Sequence, residues 1–334
     1  MPVTADPRDP WLLEQIRSAR RLALMTHVDP DADGLGSQIG FLHAARAAGK
    51  DAVIVNDDPC PSRYRWLDEA GDIRDFDTAA ANLQGCDLGL CFDANEPGRA
   101  GRPLAALQKA GVPVLLVDHH RLAADNPMQG LVATHFSSSG ELTFRLIEAL
   151  GWSLDARAAA GLYAAMSFDT GSFRFLRNNP DTLRVAAALQ AVPGLDTNPI
   201  QEALFASRPF AETVLLGRIL ERIERSADGR VAWAVIPPEA TDGLDVPRDA
   251  VGEAMPFVIG IEGVLAAAMF KPGRVPGQWK LSLRAKAGTV VGDIATRRGG
   301  GGHDQAAGAT LTGDIESLRA EIVAELQDVV SRSV

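Results

Sequence analysis

Two short segments of the chain place acidic and imidazole side chains directly after apolar runs, where they could bind metal ions. The first segment follows the run 22–25 and supplies three such residues: His27, Asp31 and Asp33. The second is the tripeptide Asp118-His119-His120, which ends the run 114–117. Side chains that follow a strand of an open α/β sheet lie at the carboxyl edge, where such proteins keep their active sites.

Two further aspartates follow apolar segments in the same way. Asp93 ends the run 88–92, and Asp169 follows an apolar helix that we predict over 156–166. Taken alone, an aspartate after a strand is more often a turn or helix-cap residue than a ligand. Capping does not explain why histidines accompany the aspartates at two of these four positions. The joint pattern therefore predicts one metal site built from several loops.

The donor set of this predicted site contains about four carboxylates, two imidazoles and no thiolate. Such a set suits manganese, whereas magnesium accepts less nitrogen and zinc is less favoured. It is also large enough to hold two ions. Two ions about 3.5–4 Å apart activate a water molecule and stabilise the phosphoryl oxygens of an in-line displacement. The predicted chemistry is hydrolysis of a phosphoester or a phosphoanhydride.

A run of glycines near the C-terminus is the second strong signal, because Gly299, Gly300, Gly301 and Gly302 directly precede His303. Consecutive glycines cost backbone entropy, and close approach of backbone N–H groups to an anion is one reason to keep them. We expect His303 to begin a helix. The segment is not a Walker A loop, since no Gly-Lys-[Ser/Thr] closes it. A flexible linker is the alternative, but a helical pattern before the run and an Ala-Ala-Gly run after it argue against one.

An arginine precedes this glycine run and is a candidate for phosphate binding. Arg284 ends the strand that we predict over 279–284. Its guanidinium offers a rigid fork of donors that matches the geometry of a phosphate. The sequence therefore predicts an anion site that combines Arg284 with the glycine run.

The elements that must position the metal site alternate along the first half of the chain. Strand-like runs are found at 22–25, 53–55, 88–92 and 112–117. A helix over 35–48 follows the first of them, and we expect Gly34 and Gly36 to let the backbone turn tightly into it. Strand, crossover and strand in repetition predict a parallel sheet with helices on both faces.

The pattern becomes helical after residue 140 and strand-like again after residue 228. We predict amphipathic helices over 141–150, 156–166, 182–190 and 212–224. The serines before Glu141 are a candidate N-cap. Further strands are predicted at 231–236, 264–270 and 279–284. We therefore divide the chain into residues 1–190, a helical linker 191–228 and residues 229–334.

Composition and charge limit the classes of protein. The chain has 334 residues, of which 46% are hydrophobic and 23% charged, enough for two globular domains. Three cysteines without a CxxC pair predict neither a disulfide framework nor a thiolate zinc site. The sequence lacks a signal-like start and long apolar stretches, so we expect a cytoplasmic protein outside the membrane. A net charge of -10 argues against binding long duplex DNA, but it allows a small anionic substrate.

Together these motifs resemble the DHH phosphoesterase superfamily, in its RecJ-like subgroup of oligoribonucleases and pAp phosphatases with a C-terminal DHH-associated domain. Five motifs carry the resemblance: His-x-x-x-Asp-x-Asp from His27, the isolated Asp93, Asp118-His119-His120, Asp169-Thr170-Gly171 and the Gly-rich segment that ends in His303. Any one would be a weak signal, but five in this order are a strong one. The resemblance implies a parallel-sheet catalytic domain with helices on both faces, a helical connector and a smaller α/β domain with a mixed sheet.

The resemblance also implies which residues bind metal. Asp93 would bridge two ions and belong to both ligand sets, which are His27, Asp31 and Asp93 for the first ion and Asp33, Asp93, His119 and Asp169 for the second. The implied cofactor is manganese, as two ions, with magnesium or cobalt as substitutes.

Further residues would contact the substrate. His120 would face the scissile phosphate as a hydrogen-bond donor, and Asp118 would orient the neighbouring imidazoles. The second phosphate of the substrate and its sugar or base would be held by residues of the second domain, namely Arg284, Gly300, Gly301, Gly302 and His303. Binding at both ends would favour ligands of a few nucleotides.

The implied function is manganese-dependent hydrolysis of short oligoribonucleotides (nanoRNA) and 3′-phosphoadenosine 5′-phosphate (pAp) by a metal-activated water. A phosphodiesterase of cyclic dinucleotides such as c-di-AMP, or of linear products such as pApA, stays open, because all these ligands present the same phosphate. A catalytically silent nucleotide sensor is an alternative of another class, although a sensor has no need for the complete ligand set. By analogy, a homodimer would be unsurprising.

Two other hydrolase families explain less of the sequence. A haloacid-dehalogenase interpretation of Asp29-Pro30-Asp31 leaves the 118–120 tripeptide and the glycine run unexplained. Inorganic pyrophosphatases share the N-terminal motifs, but the Gly-rich segment with its histidine belongs to the nucleotide-cleaving branch.

Overall fold

The computed structural model describes residues 3–122, 126–176, 179–246, 250–273, 275–286 and 288–332, with only the backbone described at Pro97, Glu253 and His303. The chain divides into two compact units, Met1–Ser207 and Arg208–Val334. No helix in the described ranges is long and apolar enough to cross a membrane.

The first unit is built on a sheet of seven described strands, all paired in parallel. In chain order these strands are β1 (Val3–Thr4), β2 (Arg21–Met25), β3 (Asp51–Asn56), β4 (Ile73–Asp75), β5 (Leu88–Phe92), β6 (Val114–Asp118) and β7 (Gln129–Val132). Their order in space is β1-β7-β6-β5-β2-β3-β4. After β2 the sheet first grows on one side, through β3 and β4, and then on the other, through β5 and β6. The boundary between β2 and β5 is therefore the topological switch point of the sheet.

Helices cover both faces of this sheet, as the sequence predicts. They are α1 (Pro10–Ser18), α2 (Ala32–Ala47), α3 (Phe76–Ala79), α4 (Gly101–Lys109), α5 (Ser139–Leu150), α6 (Ala156–Asp169), α7 (Asp181–Gln190) and α8 (Asn198–Gln201). Within β2, Leu22 and Leu24 enter the core formed with α1, α2, α5 and α6, whereas Ala23 and Met25 enter the opposite core, formed with α4. Because successive side chains of a strand point to opposite faces, one apolar strand contributes residues to the cores on both sides of the sheet.

The helices α2 and α6 pack closely because glycines leave room between them. A Cβ atom at Gly36 would lie 2.3 Å from the carbonyl oxygen of Gly161, and a Cβ atom at Gly40 would lie 2.5 Å from the Leu162 side chain. Gly34 and Gly36 lie inside α2 and do not have a positive φ, so the prediction that they form a turn into the helix is wrong. Their role is to allow close packing.

The second unit contains a mixed sheet, as expected. Its strands are β8 (Ile223–Arg225), β9 (Val231–Val235), β10 (Ala266–Pro272), β11 (Gln278–Ala285), β12 (Gly301–His303) and β13 (Ala306–Thr312). Their order in space is β12-β13-β11-β10-β9-β8, with β9 and β10 parallel and the other pairs antiparallel. The accompanying helices are α9 (Phe210–Leu220), α10 (Met255–Ile259), α11 (Gly292–Thr296) and α12 (Ile315–Arg332).

Two local predictions for this unit are wrong. The helix predicted over 212–224 ends at Leu220, and Ile223–Arg225 is a strand that pairs with β9 across a turn containing Gly229, which has a φ of 73°. His303 does not begin a helix, since Gly301–His303 forms a β-hairpin with β13. In both places the pairing of neighbouring strands outweighs the local pattern.

Candidate metal centre

The candidate ligands of the first unit meet at the switch point of its sheet. His27 follows β2 after one residue, Asp93 follows β5 directly, and Asp118 is the last residue of β6. Open α/β sheets bind their ligands in the crevice beside this point, because the loops after the two central strands diverge there. Two distant segments of the sequence are thereby brought together.

A first group consists of His27, Asp31 and Asp93. The Nε2 atom of His27 lies 3.7 Å from a carboxylate oxygen of Asp31 and 3.6 Å from one of Asp93. Its Nδ1 atom lies 2.7 Å from the carbonyl oxygen of Val28, which fixes the Nδ1–H tautomer and aims Nε2 at the two acids. Asp31 is the N-cap of α2 and accepts the backbone N–H of Asp33 at 3.0 Å.

A second group consists of Asp33, His119 and Asp169. The Nε2 atom of His119 lies 3.7 Å from an oxygen of Asp33 and 3.2 Å from one of Asp169. The close packing of α2 on α6 explains this meeting, since Asp33 lies in the first turn of α2 and Asp169 ends α6. The helix predicted over 156–166 thus continues to Asp169.

Asp93 connects the two groups. One of its carboxylate oxygens lies 3.6 Å from Nε2 of His27, and the other lies 3.8 Å from Nε2 of His119. The backbone N–H of Asp93 donates to the carbonyl oxygen of Val117 at 3.1 Å, and its φ of 54° lies in the left-handed region. A non-glycine residue in this conformation is strained by about 1–3 kcal/mol, a cost often found at functional sites. The carboxylate is therefore held where it can serve both groups.

These residues fit divalent cations by their donor chemistry. In each group, one ligand atom from each of the three residues lies within 4.8 Å of the others. The buried Nε2 atom of His119 has no hydrogen-bond partner among the described residues, although it faces three carboxylates. Buried carboxylates at this spacing repel one another unless cations or protons intervene. An oxygen-rich set with two imidazoles is suited to such cations.

The pKa values of the site's residues are shifted by burial and by their charged neighbours. Burial, followed by the charges of Asp93 and Asp169, raises the pKa of Asp33 well above its usual value. Burial opposes charge on His27 as well, but its hydrogen bonds to Asp31 and Asp93 raise its pKa to about 10. Burial also works against the Asp93 anion, and the hydrogen bonds from His120 and His27 overcome it and lower the pKa of Asp93. Protons on the imidazoles thus reduce the repulsion between the carboxylates.

His120 and Asp118 form a pair beside Asp93. The Nδ1 atom of His120 lies 3.0 Å from an Asp118 oxygen and 3.1 Å from an Asp93 oxygen. The backbone N–H of His120 donates to the same Asp118 oxygen at 2.7 Å. Burial disfavours the imidazolium, but these contacts with Asp118 and Asp93 outweigh it and raise the pKa of His120 to about 10. Asp93, His119 and His120 form a third group with metal-binding spacing.

Ser139 also contacts the site, and the sequence analysis missed it. Its hydroxyl donates to Asp93 at 3.2 Å and its backbone N–H donates to Asp33 at 2.8 Å, while the N–H of Gly140 donates to the other Asp33 oxygen at 3.0 Å. The expected N-cap of α5 is present as Ser138, which accepts the N–H of Glu141 at 3.0 Å. Three consecutive serines precede Glu141, although an N-cap needs only one. The additional serines were the signal in the sequence for a further role of this segment.

In the second unit, two candidate substrate residues lie in one row of the sheet. Arg284 on β11 is in register with Ala306 on β13, which is in register with His303 on β12. Neighbouring strands are about 4.8 Å apart, so this row spans three strands. Arg284 is exposed. The side chain of His303 lies outside the described part of the structure.

The glycines of this hairpin have different environments. A Cβ atom at Gly300 would lie 2.1 Å from the carbonyl oxygen of Gly308, and one at Gly302 would lie 2.4 Å from that of Ala306. Gly302 also has a φ of 135°. Hairpin packing therefore requires both glycines. Gly301 is exposed, and a Cβ atom there would meet no described atom within 4 Å.

Comparisons with known proteins agree with this architecture. The sequence model of the DHH family N-terminal domain matches residues 21–166, and that of the DHHA1 domain matches residues 228–332. The bifunctional oligoribonuclease and PAP phosphatase NrnA of Thermus thermophilus is 30% identical over 318 residues, which cover 93% of this chain and 90% of that protein. The cyclic-di-AMP phosphodiesterase PdeA of Listeria monocytogenes is 26% identical over 329 residues, covering 93% of this chain and 47% of that protein.

The fold is similar to that of a solved structure along its whole length. A crystal structure of an exopolyphosphatase-related protein from Bacteroides fragilis matches with a TM-score of 0.87 and 20% sequence identity, over 97% of each chain. Two domain models in this order, with a relative of 30% identity along nearly the whole chain, show the family. The chain belongs to the DHH family of phosphoesterases and consists of a DHH domain followed by a DHHA1 domain.

Proposed function

We propose that the chain is a manganese-dependent phosphohydrolase with two metal ions, which cleaves short oligoribonucleotides and pAp. The observation that carries the proposal is the position of Asp93, whose two carboxylate oxygens face separate groups of ligands. One ion would be held by His27, Asp31 and Asp93, and the other by Asp33, Asp93, His119 and Asp169. The substrate class is supported by the Thermus relative, which is named for both activities.

Bound cations would supply charge stabilisation for the phosphoryl oxygens and a water of lowered pKa. The protein itself holds the ligand side chains in position. Asp93 is held by its left-handed backbone and by Ser139, so its carboxylate does not need to reorganise during the reaction. His27 is held by the Val28 carbonyl group, which keeps Nε2 aimed at the acids.

His120 would donate a hydrogen bond to the phosphate that is cleaved. Asp118 and Asp93 lie at its Nδ1 atom, so that nitrogen is engaged by the protein. These contacts raise the pKa of His120 and so favour the imidazolium, which carries a donor on each ring nitrogen. A positioned cationic donor stabilises the negative charge that grows on a phosphoryl oxygen in the transition state. Asp118 acts here through His120 and is a positioning residue.

Residues of the DHHA1 domain would hold the far end of the substrate. Arg284 forms no ion pair within the described part of the chain, and its Nη1 atom donates only to the neighbouring carbonyl oxygen of Leu283, at 2.9 Å. Its charge is thus available for a second phosphate. Gly301 and His303 would belong to the same set. Packing gives no reason for a glycine at Gly301, and His303 lies in the same row of the sheet as Arg284.

Cleavage of cyclic dinucleotides or their linear products is a second candidate function. It is supported by the Listeria phosphodiesterase, which matches 93% of this chain with about half of its own length. The same ligands and the same His120 would serve it, because the bond cleaved is again a phosphodiester.

A substrate panel tests these functions. Purified protein with Mn²⁺ is assayed on pAp, on ribonucleotides of two to five residues, on c-di-AMP and on pApA, with Asp93→Ala as the blank. We expect the wild-type protein, but not the Asp93→Ala blank, to turn over pAp and the short ribonucleotides. Turnover confined to c-di-AMP and pApA would favour the second candidate. No turnover of any member would contradict both and favour a nucleotide sensor.

A further inference from the structure

A large aromatic side chain is exposed in the turn that follows the candidate ligand Asp169. Phe175 is 68% exposed, which is unusual for a phenylalanine. Its backbone N–H donates to the carbonyl oxygen of Thr170 at 3.0 Å, and Thr170 directly follows the candidate ligand Asp169. The ring therefore belongs to the same turn as a metal ligand.

This turn has a strained backbone that is held in place by many contacts. Gly171, Ser172 and Phe173 have φ values of 58°, 61° and 62°, so three consecutive residues are left-handed. Two of them are not glycine, and each such residue costs about 1–3 kcal/mol. Strain of this kind persists only where the surroundings enforce it, and it is concentrated at functional sites.

Contacts from two helices enforce the conformation. The hydroxyl of Ser172 donates to Gln201 of α8 at 3.0 Å, and the amide of Gln201 donates to Ser167 of α6 at 2.7 Å. The ring of Phe173 packs on Tyr163, with 5.4 Å between the ring centroids. Phe173 thus anchors the turn in the core, whereas Phe175, two residues later, is left exposed.

Arg174 lies beside the exposed ring and is also fixed. Its Nε atom donates to the carbonyl oxygen of Gly171 at 2.6 Å, and its guanidinium carbon lies 5.9 Å from the centroid of the Phe175 ring. Proteins stack unpaired bases on aromatic rings and on guanidinium planes, and this turn places one of each side by side. Because the backbone of the turn and Arg174 are already held, less entropy is lost when a ligand binds there.

We propose that Phe175 and Arg174 form a stacking platform for the nucleobase of the nucleotide whose phosphate is cleaved. This inference rests on the proposed function, since it assigns the base that accompanies that phosphate. Stacking accepts any base, because every base has a π-face. The platform would therefore give affinity for nucleotides over simple phosphate esters without selecting a sequence.

Kinetics of matched substrates test the platform. Phe175→Ala and Phe175→Trp are compared with wild type on a 5′-phosphorylated diribonucleotide and on the same compound with abasic ribose in place of the base next to the cleaved phosphate. We expect Phe175→Ala to raise KM for the normal substrate about tenfold with little change in kcat. KM for the abasic analogue should stay unchanged in this variant. Phe175→Trp should restore KM for the normal substrate. Phe205→Ala, at another exposed phenylalanine of the same unit, is the matched control.

A binding assay separates this inference from the proposed function. The fluorescence of 2-aminopurine riboside 5′-monophosphate, which stacking quenches, is measured with Mg²⁺-loaded protein. We expect quenching by wild type and by Phe205→Ala but not by Phe175→Ala, whether or not the substrates are turned over. No turnover would overturn the proposed function alone. Equal quenching by wild type and Phe175→Ala, or no quenching by wild type, would overturn the platform. An equal rise in KM for the normal and the abasic substrate in Phe175→Ala would also overturn it.

Discussion

At the scale of single residues, the site combines groups that cannot all keep their ordinary protonation state. His27 lies between the carboxylates of Asp31 and Asp93, and Asp33 is buried among other acids. Without metal, protons reduce the repulsion between the acids. An imidazolium has no lone pair to offer, so a cation must displace the proton from His27 before this residue can act as a ligand.

We therefore expect Mn²⁺ binding to release protons at neutral pH. The pKa of His27 is about 10 in the metal-free protein, so this residue is protonated at pH 7 and loses its proton on ligation. Apparent Mn²⁺ affinity should rise with pH below that value, by about tenfold per pH unit for each proton released. Calorimetric titration of Mn²⁺ in buffers of different ionisation enthalpy measures the number of protons.

The control for this prediction is His27→Gln, which has no titratable proton at this position. It should release about one proton fewer per chain. Binding without any proton release by wild type would contradict the electrostatic description of the site.

At the scale of secondary structure, the contact between α2 and α6 brings Asp33 to Asp169. The glycines at this contact are the reason that two helices from distant parts of the sequence approach so closely. A Cβ atom at Gly36 would lie 2.3 Å from the backbone oxygen of Gly161, which cannot rotate away. The candidate metal site thus depends on residues that are not themselves candidate ligands.

We expect Gly36→Ala to lower the free energy of unfolding by about 1–3 kcal/mol, as overpacking does. It should also weaken Mn²⁺ binding, because the helices that carry Asp33 and Asp169 are forced apart. Thermal unfolding and Mn²⁺ titration measure the two effects. The matched control is Gly217→Ala in α9, where a Cβ atom meets no described atom within 4 Å. This change should stabilise the helix by up to about 1 kcal/mol, and equal effects at both positions would contradict the packing argument.

The hairpin of β12 and β13 gives a second comparison among glycines. Gly300→Ala and Gly302→Ala should destabilise the DHHA1 domain, since their Cβ atoms would meet backbone oxygens at 2.1 and 2.4 Å. Gly301→Ala should leave thermal stability unchanged, because a methyl group there meets no described atom within 4 Å. In the proposed function that methyl group would meet the substrate, so KM for the short ribonucleotides should rise. Unchanged KM in Gly301→Ala would remove this residue from the proposed substrate site.

Much of this architecture could be predicted from the sequence, because apolar runs that end in chemical groups are local signals. The strands before His27, Asp93 and Asp118 were predicted for this reason, and the parallel sheet with helices on both faces is confirmed. Short strands such as Val3–Thr4 and Gln129–Val132 have too few residues for a pattern. The contacts of Ser139 depend on a distant partner, and a local pattern contains no information about it. The partner of Gly301–His303 is the next segment of the chain, but a run of glycines has no alternating pattern that would indicate a strand.

At the scale of the whole molecule, the two domains have separate tasks in the proposed function. In that proposal the DHH domain would supply the metal ligands and His120, and the DHHA1 domain would supply Arg284 and the Gly-rich hairpin for the rest of the substrate. Metal binding should then depend on the first domain alone, and substrate length preference on both. The central claim is that one carboxylate, Asp93, holds two ions together.

Electron paramagnetic resonance of the Mn²⁺-loaded protein tests this claim most directly. Two Mn²⁺ ions that share a carboxylate are magnetically coupled, so we expect two ions per chain and a coupled spectrum in wild type. Asp93→Asn should lose the coupled spectrum and phosphohydrolase activity, while Asp29→Asn, at an aspartate outside both ligand groups, should keep both. A wild-type protein that binds a single ion, or an Asp93→Asn protein that retains the coupled spectrum, would contradict the account.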